Sequence, residues 1–345
     1  MAPKYDDHFA AKAQSSADPV VADDPADEVE WLAERQPGDR DDLGDVDGHR
    51  ISTWGGPGAG KSTFLAALNR AALTATGDSI GWTLAPADPA SAAYLAAAET
   101  QLNAGAFPGQ SLEREIYYFA LLRRSQSDGT GVVRAELRVT DGPGIDTAMN
   151  ADGTAPSGDI EELLESDGFL FLFDPTLRAK GKSNAATLDP LVAFLKHRAE
   201  EEQTWVDARL RHHIAVCVTK FDNEEVFRRS LRGGWVNQDP DTRLPHVRST
   251  DAEKYFAWLC GELGETGVYQ AIQRAFHPDR VRFFVSSAIG FHVAPGRTFD
   301  SHANNPFNYD ARPGTPLIRG PVHPINVLEP VVWLQDGLGR HDGRS

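Results

Sequence analysis

Short apolar runs recur along the chain, and each one ends in glycine, serine, threonine or aspartate, which are turn-forming residues. The strands predicted in this way cover His49–Trp54, Val133–Val139, Gly168–Phe173, Ile214–Thr219 and Val281–Ser286. Several of these runs are apolar at nearly every position, which indicates strands that are buried on both faces. This pattern is typical of a parallel sheet covered by helices.

Between the strands, apolar residues recur at helical spacing. A pair such as Asp-Pro predicts a helix start, since Asp accepts hydrogen bonds from the first turn and Pro fits within it. A capping box, in which Thr and Glu cap each other's amides, predicts another start. The predicted helices are Lys61–Leu73, a long helix opened by Asp189 and Pro190, a helix opened by the capping box of Thr250 and Glu253, and Asn326–Leu334.

One pair of strands is predicted to be antiparallel. Ile116–Leu122 is an apolar run, Val133–Val139 alternates apolar with polar residues, and turn-forming residues lie between them at 125–131. Two such runs joined by a turn predict a hairpin. The fold class is therefore α/β, with three layers and a mainly parallel sheet that carries one antiparallel hairpin strand.

The composition divides the chain into segments. Residues 1–47 hold fourteen acids and only four Lys or Arg, so they are expected to form an acidic, disordered tail. Residues 48–338 are predicted to form one domain with insertions near 223–250 and 290–324, and residues 339–345 a C-terminal tail. The 290–324 insertion is rich in proline, and it is expected to be either functional or disordered.

Charge and cysteine content exclude several classes of protein. With 34 Lys+Arg against 50 Asp+Glu, the net charge of −16 disfavours nucleic acid as a partner. Cys217 and Cys260 cannot build a disulfide framework, and no apolar segment is long enough to span a membrane. A cytoplasmic location is expected. His212 and His213 are expected at the surface, not in a metal site.

The segment from Gly55 to Ser62 reads Gly-Gly-Pro-Gly-Ala-Gly-Lys-Ser and matches the phosphate-binding pattern GxxxxGK[ST]. Its glycines let backbone amides face a phosphate, the lysine reaches the β and γ oxygens, and the serine hydroxyl binds Mg²⁺. A predicted strand precedes the motif and a predicted helix follows it, as this motif requires. The candidate phosphate-binding residues are Gly55, Gly58, Gly60, Lys61, Ser62 and Thr63.

Asp141-Gly142-Pro143-Gly144 follows the predicted strand Val133–Val139. An acid at Asp141 can hold Mg²⁺ through water, and the Gly144 amide can contact a γ-phosphate and release it after hydrolysis. By itself this short pattern also describes an ordinary turn. Its place after a strand, about eighty residues beyond the phosphate-binding motif, favours the functional interpretation.

Thr219-Lys220-Phe221-Asp222 follows another predicted strand. The stem of Lys220 can lie on a purine face, and the Asp222 carboxylate can accept two hydrogens from guanine N1 and N2. Adenine offers neither donor, so the motif predicts selection of guanine. Ser287 and Ala288, beyond the last predicted strand, are small enough for backbone amides to approach guanine O6.

In this order the four motifs resemble the P-loop GTPases, and the hairpin resembles the translation-factor and Ras class. The resemblance covers about residues 49–289 and implies a P-loop NTPase fold, binding of GTP and GDP with Mg²⁺, GTP hydrolysis and a switch acting on a partner protein. Three further segments, FLAAL after the phosphate motif, FPGQS at 107–111 and NVLEPVVWL near the end, are similar to bacterial double-GTPase domains. This narrower resemblance implies a second GTPase as partner.

The chain departs from the GTPase pattern at two positions. The Mg²⁺-binding threonine of the first switch is assigned to Ser111, with Thr100 as the second choice. Ile145 stands where Ras-like GTPases place the glutamine that orients water, so unaided hydrolysis is expected to be slow. The candidates for a charge-stabilising arginine are Arg114, Arg123 and Arg178.

Two other functions remain open on the sequence. The same phosphate-binding motif serves ATP-dependent ATPases and phosphotransferases, which a comparison of GTP with ATP separates from a GTPase. A scaffold that binds nucleotide without hydrolysing it is the second alternative, because an aliphatic residue at Ile145 cannot orient water.

Overall fold

The structure is a computed structural model. It describes residues 49–75, 81–109, 115–124, 132–141, 165–240, 242–294, 296–301, 303, 305–310 and 317–342. The predicted acidic tail, residues 1–47, lies outside this part of the chain and stays a prediction.

In the described part of the chain, seven strands form the main sheet in the order β2-β3-β4-β1-β5-β6-β9. Their bounds are β1 His49–Trp54, β2 Trp82–Pro86, β3 Glu115–Arg124, β4 Val132–Asp141, β5 Gly168–Phe173, β6 His213–Val218 and β9 Val281–Val285. Two short hairpins lie outside it, formed by β7 Asn237–Gln238 with β8 Pro245–His246 and by β10 Tyr309–Asp310 with β11 Leu317–Ile318.

Helices follow most strands, and their bounds are α1 Lys61–Thr74, α2 Pro89–Asn103, α3 Asn184–Glu202, α4 Glu224–Arg232, α5 Ala252–Leu263, α6 Thr266–Ala275 and α7 Glu329–Asp342. The last of these extends beyond the domain boundary that the sequence suggested at residue 338. Among the described residues, no helix is both long and apolar enough to cross a bilayer.

The sheet confirms the predicted fold class. Strand β1 pairs in parallel with β4 and β5, and β6 pairs in parallel with β5 and β9. Strand β3 is antiparallel to both β2 and β4, so it is the one reversed strand of the seven. The hairpin predicted from the alternating run is therefore present.

Strand β5 shows why the domain has three layers. Phe169, Phe171 and Phe173 face a core formed with α3, α5 and α6. Leu170 and Leu172 point to the other side, into a core formed with α1, α2 and α7. Successive side chains of a strand alternate between faces, so a strand that is apolar throughout binds a helical layer on each side.

The long helix α3 starts earlier than predicted. Its N-cap is Ser183, whose hydroxyl accepts a hydrogen bond from the Ala185 amide at 3.1 Å. Asp189 and Pro190 therefore lie inside the helix, and the prediction that they open it was wrong. The upstream start is stabilised because the Asn184 side chain is bonded to a neighbouring loop, which local sequence does not reveal.

Both proposed insertions contain ordered structure. Residues 223–250 include α4 and the β7–β8 hairpin. In the 290–324 insertion, Phe291, Phe299 and Phe307 are buried in the core against Phe227 of α4. Of the two alternatives for this proline-rich segment, disorder is excluded for its described residues.

Residues 317–322, here called the strap, belong to the 290–324 insertion and contact the residues that follow α2. The Ile318 amide donates to the Gly105 carbonyl at 2.6 Å, just beyond α2. Ile318 and Val322 also pack in a small apolar cluster. The other members of this cluster are Ala66 of α1, Ala98 and Leu102 of α2, and Ile289.

His212 and His213 are buried, so the expectation of a surface pair was wrong. His213 opens strand β6, which lies next to the edge strand β9, and its ring lies against Trp333 of α7. Burial, with the nearby Arg211 charge as the next cause, lowers the pKa of His212 to about 3. The ring of His212 is therefore neutral at physiological pH.

Candidate functional site

The phosphate loop, residues 55–60, leaves β1 and enters α1 at Lys61. Gly58 and Gly60 have φ angles of 76° and 96°, a region in which residues with a Cβ are strained. The Ala59 amide donates to the Gly56 carbonyl at 3.0 Å, which closes the loop into a tight turn. The glycines are therefore needed for the path of the backbone itself.

Two further glycines are required by their neighbours. A Cβ on Gly55 would lie 3.1 Å from both the Cβ and the carbonyl oxygen of Leu172 in β5, and one on Gly56 would lie 3.1 Å from Oγ1 of Thr187 in α3. Both separations are tighter than normal packing contacts. The loop is thus fitted against the sheet on one side and against a helix on the other.

Lys61 is buried and folds back over the loop that precedes it. Its Nζ donates to the Gly55 carbonyl at 3.0 Å and lies 3.5 Å from the Gly56 carbonyl. The predicted residues Ser62 and Thr63 follow in the first turn of α1, and both are half-buried. An ammonium group and a helix N-terminus therefore meet at the same loop, which is a favourable arrangement for a phosphate.

A second loop leaves β6 with Thr219, Lys220 and Asp222. Thr219 continues the sheet, since its amide and its Oγ1 both donate to the Phe173 carbonyl, at 2.9 and 3.1 Å. Lys220 has a φ of 56°, which is uncommon for a residue with a long side chain. The turn at Lys220 brings Asp222 back toward the loop that follows β9.

Asp222 and Ser287 contact each other directly. The Ser287 hydroxyl donates to Oδ1 of Asp222, and both residues are buried. Burial raises the pKa of Asp222 to about 6, although the Ser287 hydrogen bond acts in the opposite direction. Burial therefore disfavours the charged form of the carboxyl group, and a ligand with adjacent N–H groups would stabilise that form. The predicted Ala288 follows and is half-buried.

Lys220 joins the two ends of the site. Its Nζ donates to the carbonyl of Gly58 in the phosphate loop at 2.5 Å. Asp222 follows two residues further along the chain, so the base end is tied to the phosphate loop through Lys220. The loops that follow β1, β6 and β9 form one site at the carboxyl edge of the sheet, the edge where open α/β sheets bind ligands.

The chain has an α/β P-loop NTPase fold.

The predicted metal ligands are only partly within the described residues. Asp141 is the last residue of β4, three residues beyond the pairing of Arg138 with Ser52, so its backbone is level with the start of the phosphate loop. Gly144, Ile145 and Ser111 lie outside the described residues, and their assignments stay predictions.

Thr100, the second choice for the first-switch ligand, lies within α2, and its hydroxyl donates to the Ala96 carbonyl at 2.7 Å. That bond holds the hydroxyl against the backbone of its own helix. The structure does not bring Thr100 together with the other candidate metal ligands.

The arginine candidates occupy different ends of the sheet. Arg123 pairs with Val133 near the start of β4, and its guanidinium lies 5.7 Å from the Trp82 ring. This is the edge opposite the phosphate loop, roughly eight residues or 27 Å away along β4, so Arg123 is excluded. Arg178 lines a cavity of about 730 Å³ that adjoins Pro57 of the phosphate loop. Arg114 lies outside the described residues.

Asp174 also lies at the candidate site, although it belongs to none of the four predicted motifs. It directly follows β5 and is wholly buried. Its Oδ2 lies 2.6 Å from Nζ of Lys220. Partial burial, followed by the neighbouring Lys220 charge, lowers the pKa of Lys180. An acidic residue just past a buried strand on the ligand edge was the available signal.

Comparisons with known proteins add structural neighbours only. Neither a protein-family model nor a curated protein sequence matches the chain. Among solved structures, it is similar to the SRb-GTP/SRX complex of the signal recognition particle receptor from Chaetomium thermophilum, with 15% identity over 72% of this chain and 93% of that one and a TM-score of 0.32.

Two further structures are similar. One is the GTP-bound Ski7 GTPase-like domain of S. cerevisiae, with 10% identity over 86% of this chain and 50% of that one and a TM-score of 0.33. The other is the bacterial selenocysteine-specific elongation factor EF-Sec, with 14% identity over 54% of this chain and 22% of that one and a TM-score of 0.22. The double-GTPase resemblance stays a prediction.

Proposed function

We propose that this chain binds GTP and GDP with Mg²⁺, hydrolyses GTP slowly to GDP and phosphate, and acts as a switch for a partner protein. One observation carries the proposal. Lys220 is bonded to the glycine-built phosphate loop and stands two residues before Asp222, a buried carboxylate that is bonded to Ser287. A guanine nucleotide has a phosphate group and a pair of base donors that match these two ends.

At the phosphate end, the amides of residues 55–60 and the N-terminus of α1 would surround the phosphates. Lys61 would exchange its bond to the Gly55 carbonyl for the β and γ oxygens. Since an anionic oxygen is a stronger acceptor for an ammonium than a carbonyl is, this exchange is favourable.

At the base end, Asp222 would accept the N1 and N2 hydrogens of guanine. The Ser287 hydroxyl already orients Oδ1, so the carboxylate is in place before the base arrives. Adenine would leave the buried carboxylate without these donors, at a cost of roughly 1–3 kcal/mol or more. Thr219 supports the turn, and backbone amides near Ala288 would approach guanine O6.

Three oxygen-bearing residues fit a Mg²⁺ ion by their chemistry. Ser62 would bind it directly, Asp141 through water, and Ser111 from the first switch. When bound, the ion neutralises the charge that develops on the phosphates during transfer. The register of β4 beside β1, which brings Asp141 level with the phosphate loop, supports this assignment.

Hydrolysis would add water to the γ-phosphorus and break its bond to the β–γ bridging oxygen. Lys61 would stabilise the leaving oxygen, and the Gly144 amide would contact the γ-phosphate. Ile145 cannot orient the water, because its side chain has no hydrogen-bonding atom. A partner, which the double-GTPase resemblance suggests is a second GTPase, would supply the missing group, and slow turnover follows in its absence.

The test measures binding of GTP, GDP and ATP to the purified chain by calorimetry, followed by phosphate release under single-turnover conditions with and without Mg²⁺. We expect guanine nucleotides to bind far more tightly than ATP and phosphate to appear over minutes to hours. Preference for ATP would favour the phosphotransferase alternative.

The same measurement on Ile145→Gln examines the cause of slow turnover. We expect this variant to release phosphate faster than the wild type with unchanged GDP affinity. Tight GTP binding with no phosphate release from either protein would favour a nucleotide-stabilised scaffold.

A further inference from the structure

We propose that Asp174 is a positioning residue for guanine-nucleotide binding, which acts by holding the Lys220 ammonium between the base end and the phosphate loop. The inference rests on the function proposed above and assigns a residue outside the four nucleotide-binding motifs. It is carried by the bonds on each side of the Asp174 carboxylate.

The two carboxylate oxygens of Asp174 have separate tasks. Oδ1 accepts from the amide and the hydroxyl of Thr176, at 2.8 and 2.7 Å, which fixes the plane of the carboxylate. Oδ2 is thereby directed at Lys220 and lies 2.6 Å from its Nζ. Asp174 has no solvent exposure, so this ion pair is partly shielded from water and salt.

The backbone of Asp174 is held just as firmly. Its amide donates to Oδ1 of Asn184, and its carbonyl accepts from Nδ2 of the same residue, both at 2.9 Å. Asn184 in turn donates to both carboxylate oxygens of Glu265, at 3.0 and 2.8 Å. The position of Asp174 is therefore set by α3 and by the junction of α5 with α6, independently of any ligand.

Lys220 needs such a support. Its long stem has many rotamers, and fixing them on binding would cost entropy. The bonds to Gly58 and Asp174 fix the ammonium in advance. Lys180 lies near this pair, where burial and the Lys220 charge lower the pKa of Lys180 and the Asp174 charge acts in the opposite direction.

This arrangement predicts a specific effect of Asp174→Asn. Asparagine keeps the size of the side chain and an acceptor for Thr176, but its amide N–H₂ would face the Lys220 ammonium and repel it. We expect the Kd for GDP and for GTP to rise about tenfold to a hundredfold, the usual value of a hydrogen bond between charged groups. The loss should appear mainly as faster nucleotide dissociation.

A double-mutant cycle with Lys220→Met tests the assignment. If Asp174 acts through Lys220, adding Asp174→Asn to Lys220→Met should change the Kd for GDP by less than twofold. Equal losses in both backgrounds would show an independent, structural role and overturn the proposal. An unchanged Kd in the single variant Asp174→Asn would overturn it as well.

Two controls keep the experiment decisive. Thr176→Val removes one bond to Oδ1 and leaves the Oδ2–Lys220 pair, so its Kd should match the wild type. Should Asp174→Asn fail to fold, the double variant replaces the whole pair by neutral groups, which proteins tolerate better than half a pair. Its Kd must then equal that of Lys220→Met, and a weaker affinity overturns the proposal.

The failure of this inference can be told from the failure of the proposed function. A wild-type protein that binds no guanine nucleotide would overturn both. Tight wild-type binding together with additive losses would overturn only the assignment of Asp174. The Asp222→Asn background gives a further readout, because xanthine-nucleotide binding should there lose the same factor when Asp174→Asn is added.

Discussion

The phosphate end and the base end of the site are built from different parts of the chain. At the phosphate end, backbone amides and carbonyls form the candidate binding surface, and the Lys61 ammonium donates a hydrogen bond to the Gly55 carbonyl. At the base end, the binding groups are side chains. Among them Asp222 is buried, bonded to Ser287, and raised in pKa to about 6.

The two ends are constrained in different ways. At the phosphate loop the constraint is conformational, since Gly58 and Gly60 occupy left-handed backbone geometry that restricts the residue type. At the base end the constraint is electrostatic, because the Asp222 carboxylate is buried away from water. In the proposed function, a bound guanine nucleotide would relieve the second constraint and leave the first unchanged.

The largest expected effect is at the phosphate end. Lys61→Ala removes the ammonium group while keeping the helix, so the Kd for GTP and GDP should rise by at least about a hundredfold. Calorimetry measures the change, and circular dichroism checks the fold. Lys196→Ala, which changes an exposed lysine of α3, is the matched control and should bind as the wild type does.

Asp222→Asn separates binding from stability at the base end. We expect guanine-nucleotide affinity to fall roughly a hundredfold, since two hydrogen bonds to a charged group are lost, and the preference to move toward xanthine nucleotides. At pH 7 the nucleotide-free variant should be more stable than the wild type by up to about 3 kcal/mol, the value of the raised pKa.

Chemical unfolding with GDP absent measures this stability difference. Asp189→Asn, at an exposed position of α3, should change neither quantity. A loss of stability in Asp222→Asn would contradict the account of the base end as electrostatically strained.

The pH dependence follows from the same group. The folded-state pKa of Asp222 is raised, so its contribution to stability is complete below about pH 4 and is lost as the pH rises through about 6. Guanine binding has the opposite dependence, because it needs the carboxylate, and the Kd for GDP should rise up to tenfold for each pH unit below 6. Titrations between pH 5 and 8 measure it, and Asp222→Asn should lack the Asp222 component of stability.

The smallest effects distinguish the two glycines of the phosphate loop. Gly55→Ala would place a Cβ 3.1 Å from the Leu172 carbonyl, which is backbone and moves little, whereas the one tight contact of Gly56→Ala would be with the Thr187 hydroxyl, which is a side chain. We expect losses of about 1–3 kcal/mol for the first and less for the second, read as melting temperatures. Thr187→Ala should restore stability to Gly56→Ala and not to Gly55→Ala.

The sequence predicted the parts of the fold in which local and global signals agree. The phosphate loop at 55–60 needs glycine for its backbone angles, and strand β5 needs apolar residues on both faces. Both requirements can be recognised from the residue types alone. The same holds for Asp222, whose spacing from Lys220 is set by one turn after a strand.

Elements that depend on distant contacts were missed. The start of α3 at Ser183 lies upstream of the Asp189 and Pro190 signal, because Asn184 is held by Asp174 and Glu265, and no local pattern encodes that bond. Strand β2 and helix α2 were not predicted either. Their assignment depends on pairing with β3 and on packing against α1.

The strap determines whether the 290–324 insertion can be deleted without exposing the core. Its residues Ile318 and Val322 shield Ala66 of the helix behind the phosphate loop, and Ile289 beside the base loop lies in the same cluster. By sequence, residues 290–324 form an insertion in the predicted domain. In the structure they support α1, and deleting them would expose the apolar side of the helix that follows the phosphate loop.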